Sequence, residues 1–166
     1  MRILGIDPGA TTGWAVYDTD SRRVVARGLY EGHDTVVLQP SGSVAHVAVM
    51  ERLVPHGASY PQVVEAAYVA GRIAGELRPA IQVHELTRAE VRRILQDATH
   101  GAVKVRDDKS VRAAVVLLHG GDSATETGGC LHGVTSHVWA ALAVAVAWHL
   151  TAPVRPACAT APPRRA

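Results

Sequence analysis

The stretch that most constrains this chain is its first seventeen residues, MRILGIDPGATTGWAVY, where a β-branched run from Arg2 to Ile6 is cut off by Asp7-Pro8-Gly9. Such a run reads as a buried strand. Asp-Pro-Gly is turn chemistry, because proline fixes φ and glycine accepts conformations closed to other residues. β-type residues resume at Thr11, so the two segments form a hairpin. Asp7 therefore stands where the first strand ends. It can serve the turn alone, or it can hold a divalent cation at the carboxyl edge where open α/β sheets bind ligands.

Along the chain, Arg22 to Tyr30 alternates as a third antiparallel strand, and Glu31 to Ser43 is an irregular or weakly helical connection. Val44 to Met50 lacks strict polar alternation, which suits a central parallel strand covered on both faces. It ends on Glu51, a second acid at a strand end. Arg52 to Tyr60 is a loop carrying Pro55, His56 and Gly57. A helix follows with Pro61 in its first turn, and Val63, Val64, Ala67, Tyr68, Ala70 and Ala74 are expected to face the sheet.

Ile81 to Leu86 is the fifth strand candidate. Thr87 and Glu90 form a capping-box pattern, so a helix begins at Arg88 and carries Arg88 and Arg92 on one face. His100 and Gly101 interrupt it. Asp107 or Asp108 caps the next helix, whose buried side is Val111, Ala114, Val115 and Leu118. His119 to Gly133 is a Gly-, Ser- and Thr-rich loop, long enough to be mobile or to order on binding. Ser136 is the N-cap candidate for a largely apolar final helix, His137 to Leu150, and 151–166 is a Pro- and Ala-rich tail expected to be disordered. This order predicts an α/β chain with a mixed five-stranded sheet, an antiparallel meander plus two parallel strands, flanked by helices on both faces. If the fourth strand lies parallel and adjacent to the first, Asp7 and Glu51 end side by side.

The 166 residues suffice for one domain, taken as 1–150, and 48% apolar with 19% charged residues is a globular composition. No run of about twenty apolar residues occurs, so no membrane span is expected. Arg2 is followed by a run too short for a secretory signal. Cys130 and Cys158 stand far apart, which argues against a disulfide framework or a cysteine metal site. A cytoplasmic protein is the expectation. The net charge is only +2, but Thr87 to Arg112 carries seven bases against four acids. Such a stripe either offsets phosphate charge or forms a solvated helical face.

Two carboxylates and a histidine around an open edge are ligands that suit Mg²⁺ or Mn²⁺. Two such ions about 3.5 to 4 Å apart can activate water and stabilise the departing oxygen in phosphodiester cleavage. In that arrangement Asp7 bridges both ions, and Glu51 and His137 each complete one side. Taken without further context, His137 is as simply a helix-terminal residue meeting solvent or a carbonyl.

MRILGIDPGATTGWAV resembles the opening of the RuvC-type Holliday-junction resolvases of the ribonuclease-H-like superfamily, with their first strand, catalytic Asp-Pro-Gly and following turn. VAVMERL resembles their fourth strand with its catalytic glutamate, here Glu51. SHVWAALAVAVAWH resembles their last helix, with His137 where members carry Asp or His. The resemblance spans the chain up to Leu150. It implies a metal-dependent, structure-selective endonuclease that resolves four-way DNA junctions by paired cleavage in recombination and repair. It further implies Mg²⁺ as cofactor, with Mn²⁺ able to substitute and two ions per site, and a homodimer on branched DNA. Lys109 resembles a basic residue placed near the scissile phosphate, and Arg92, Arg93 and Lys104 would contact the DNA backbone. The chain has no Phe, so Arg52, His56 or Tyr60 would take the place of an aromatic wedge at the crossover. Where many members carry a further aspartate, one turn along the last helix, this chain has Ala140, which resembles a divergent, phage-type branch; Asp107 or Asp108 either makes up the missing carboxylate or, more simply, caps its helix. That departure keeps a second reading open, a junction-binding protein that has lost catalysis; a third is a related ribonuclease-H-like nuclease acting on other branched or RNA-containing substrates. A sugar-kinase-like protein also opens with Gly-Ile-Asp-x-Gly, but the chain is too short for its second domain.

Overall fold

The computed structural model of the chain describes residues 1–31, 45–54 and 60–151, with Tyr60 and Gln62 described in their backbone only. Among these residues five strands, β1 (Arg2–Asp7), β2 (Thr11–Asp18), β3 (Arg23–Glu31), β4 (Val47–Arg52) and β5 (Gln82–Thr87), form one sheet in the order β3-β2-β1-β4-β5. The first three pair antiparallel, and β4 and β5 join in parallel. Among the described residues four helices flank the sheet: α1 (Tyr60–Leu77), α2 (Arg88–Ala98), α3 (Asp108–Leu118) and α4 (Val138–Thr151). The mixed five-stranded architecture expected from the sequence is the one observed. The connection expected over Glu31 to Ser43 lies outside the described residues beyond Glu31, as do His56 and the tail from residue 152 onward.

Strand parity divides the interior into two cores. Ile3, Ala15, Tyr17, Val47 and Val49 pack with residues of α2, α3 and α4, whereas Leu4, Ile6, Val16, Ala48 and Met50 pack with Val69, Ile73, Ala74 and Leu77 of α1. Successive side chains of a strand face opposite sides. Asp7 and Glu51 each continue the parity of the α4 side, Asp7 after Ile3 and Gly5, Glu51 after Val47 and Val49. Ile6 registers with Met50, so the two acids stand one step beyond that pair, level with each other on adjacent strands.

The close seating of α4 depends on two glycines. A Cβ at Gly5 would lie 2.0 Å from the carbonyl oxygen of Ala141, and one at Gly13 would lie 2.4 Å from that of His137. Only a hydrogen in place of a side chain lets helix backbone approach strand backbone so nearly. Gly13 pairs with Asp7 across the hairpin, so the same contact brings the start of α4 to the carboxylate.

Three local expectations are revised. The sheet-facing side of α1 is Val69, Ile73, Ala74 and Leu77, while Val64 and Tyr68 are 52% and 61% exposed and Ala67 is exposed. The helix is apolar on nearly all sides, so its periodicity alone admits either face. The segment from His119 to Gly133 is packed rather than loose: Ala124 and Leu131 are buried, a short 3₁₀ turn spans Asp122–Ala124, and Arg23 and Arg27 of β3 donate to its carbonyls. Ser136 is not an extended N-cap. Its φ is 44°, and the first helical bond runs from Ala141 N–H to the His137 carbonyl, so His137 flanks α4 instead of lying in its first turn.

Candidate active site

An open cleft of about 700 Å³ lies at the carboxyl edge of β1 and β4, walled by the Asp7–Thr11 turn, Glu51, the starts of α2 and α3, and the start of α4. Its acids arrive by the strand parity described above. His137 arrives through the Gly13 contact, and its Nδ1 stands 3.3 Å from Asp7 Oδ2, a hydrogen bond donated by the ring when Nδ1 carries the proton. Glu51 is buried, with only 7% of the residue exposed. It faces Arg88, whose Nε is 3.4 Å from Glu51 Oε1. The same guanidinium reaches Asp108, with Nη2 3.1 Å from Oδ1.

Burial raises the pKa of Asp7 above the ordinary aspartate range, against the hydrogen bond and charge of His137 and the charge of Arg88. Burial likewise raises Glu51, opposed chiefly by Arg88 and reinforced by the charges of Asp7 and Asp108. Desolvation disfavours the charged carboxylate, and a cation placed among these groups relieves that cost. The site thus favours positive charge.

Whether the donors fit a metal ion can be judged from their spacing. Two adjacent ligands on an octahedral Mg²⁺ or Mn²⁺ stand about 3 Å apart, and Asp7 Oδ2 and His137 Nδ1 are 3.3 Å apart. This pair fits one ion once Nδ1 is free of its proton. Among the described residues no three His, Cys, Asp or Glu side chains are close enough to grip an ion as they stand, and Glu51 is paired with Arg88. Ala140 lines the cleft and brings no donor.

The remaining residues singled out in the sequence are distributed unevenly. Arg92 lines the cleft, and its Nε is buried without a hydrogen-bond partner among the described residues. Lys109 is exposed beside Asp108 on the first turn of α3 and is not part of the cleft wall. Arg93, Lys104 and Arg52 are exposed outside it, and Tyr60 opens α1 with its side chain outside the described residues. Asp107 is the cap of α3, accepting from Ser110 N–H at 2.8 Å. That frees Asp108 to enter the cleft. The sequence pattern does not place Arg88 against Glu51, and it leaves Asp107 and Asp108 equal candidates to join the acids. The usable signal was the capping box, which starts α2 directly at the end of β5, the neighbour of β4. Trp139 also lines the cleft and carries the Arg112 guanidinium 4.8 Å above its ring, a cation–π contact.

No family model and no curated protein sequence matches the chain. Among solved structures, it is similar to Thermus thermophilus RuvC in complex with a Holliday junction substrate, with a TM-score of 0.60 and 17% identity over 90% of this chain and 93% of that one. It is also similar to another Thermus thermophilus RuvC structure, with a TM-score of 0.58 and 18% identity over 90% and 94%. The likeness extends over nearly the full length of both chains. The chain has the ribonuclease-H-like fold of these structures.

Proposed function

We propose, from this shared fold and the acids it gathers at one sheet edge, that the protein is a divalent-metal-dependent endonuclease that cuts four-way DNA junctions. The observation that carries the reading is the convergence of Asp7, Glu51 and His137 from β1, β4 and the start of α4 on one cleft. One of these RuvC structures is a complex with a Holliday junction, which supports branched DNA as the substrate here. Mg²⁺ or Mn²⁺ would be held by Asp7 and His137 with Glu51 beside them, and would supply Lewis acidity and a more acidic bound water. Arg92 would meet a phosphate in the cleft, and Arg93, Lys104, Lys109 and Arg52 would neutralise backbone further out. Paired cleavage needs two such sites, so the working unit would be a homodimer.

Asp7→Asn and Glu51→Gln are each expected to abolish nicking of a synthetic four-way junction in Mg²⁺ or Mn²⁺ while leaving gel-shift binding largely intact. Equal loss of binding in both variants would remove them from the chemistry. Parallel cleavage of junction, flap and RNA–DNA hybrid tests the substrate.

Ala140, which lines the cleft without a donor, favours a second reading, a junction-binding protein without catalysis. Binding with no product from the natural chain, and nicking restored by Ala140→Asp, would establish that one instead.

A further inference from the structure

We propose that the Arg88 guanidinium is a resident positive charge of the cleft, standing in for a second cation, so that each site holds a single divalent ion rather than two. The proposal rests on the metal-dependent reading above and departs from the two-ion arrangement that the family resemblance implies.

Arg88 is the first residue of α2, and the capping box of Thr87 and Glu90 fixes where that helix begins. Thr87 pairs in register with Arg52 and Leu86 with Glu51, so Arg88 emerges at the edge where Glu51 stands. Two carboxylates from two other elements hold its guanidinium: Glu51 of β4 at 3.4 Å and Asp108 of α3 at 3.1 Å. The arginine is not merely one of a surface stripe, since all three side chains line the same cleft as Asp7 and His137.

The site is therefore divided into two unequal sides. On one side Asp7 and His137 offer an oxygen and a nitrogen at the spacing of adjacent ligands. On the other, the acids are already paired with a guanidinium, which is ionised at every working pH. A divalent ion placed between Glu51 and Asp108 would have to expel that group or lie within a few ångströms of a like charge. Nothing on α4 compensates, because Ala140 has no donor to add. A guanidinium in this position can hydrogen-bond two phosphoryl oxygens at once and meet the negative charge that builds on them during cleavage. Ala140 and Arg88 are then two parts of one arrangement, a missing ligand and a fixed charge in place of the ion it would have held.

The test is Mn²⁺ titration of the full chain, with free Mn²⁺ followed by electron paramagnetic resonance and heats by calorimetry. The natural chain is expected to bind one ion, lost in Asp7→Asn. Ala140→Asp alone is expected to bind no strong second ion. Arg88→Gln combined with Ala140→Asp is expected to gain one, bound on the order of tenfold or more tightly than any second ion on Ala140→Asp. Arg88 is half exposed and its helix is capped by its neighbours, so circular dichroism should be unchanged in Arg88→Gln. Two ions on the natural chain, an equally tight second ion on Ala140→Asp alone, or a single ion on the double variant would each overturn the role of Arg88 while leaving the metal-dependent reading intact. No ion on the natural chain would overturn both.

Discussion

Asp7 is the residue on which the site turns, and its environment predicts an unusual stability profile. Burial raises its pKa in the folded chain above the value of 3.8 expected for an unfolded one. Over the window between those two values the folded state binds more protons, so the protonated group's contribution is fully present below the unfolded pKa and is lost as pH rises through the folded one. Asp7→Asn removes that dependence. In metal-free buffer containing a chelator, the melting temperature of Asp7→Asn should therefore rise relative to the natural chain as pH is taken from about 4 to about 7. A difference that stays constant with pH would contradict the raised pKa. Asp7 and Glu51 could be picked out in the sequence because each ends a strand-like run, and a strand end is a definite place in a sheet. The contact of Arg88 with Glu51 could not, nor could the choice of Asp108 over Asp107, because which residue in the first turn of a helix swings inward is decided by the neighbours it meets there.

At the level of elements, the helices are placed by small local devices with separable costs. Thr87→Ala removes the cap of α2 and should cost about 1 kcal/mol in urea denaturation. The hydrogen bond from the Thr87 side chain is the leading reason that Glu90 lies below the usual glutamate range. That contribution is present above the ordinary glutamate pKa and fades as pH falls through the lowered one. Gly13→Ala drives a methyl group into the His137 carbonyl. It should cost about 1–3 kcal/mol and weaken Mn²⁺ binding by shifting the start of α4. Gly71→Ala provides the contrast: it has open space around its would-be Cβ and should stabilise the chain by about 0.5–1 kcal/mol. The capping box, the hairpin and all five strands follow from the sequence because each is a short-range pattern. The face presented by α1 does not, because Val64 and Tyr68 oppose Val69 and Ile73 on a helix with two apolar sides.

For the molecule as a whole, the exposed bases predict how DNA binding should respond to salt. Each phosphate contact removed is expected to flatten the slope of log affinity against log salt by about 0.9. Arg93→Ala and Lys104→Ala, measured on a junction at several salt concentrations, should each show this change with cleavage per bound complex unaltered. An unchanged slope would take the residue out of the interface. The wider architecture was readable because three strands, a link, a strand, a helix and a strand leave few right-handed, uncrossed ways to build one sheet. His137 is paired with a residue 130 positions earlier in the chain, and α4 lies directly on the glycines of the first hairpin. A nascent polypeptide still emerging from the ribosome thus has its two acids before it has its imidazole, and under the proposed chemistry it stays harmless to DNA until α4 has been made and docked.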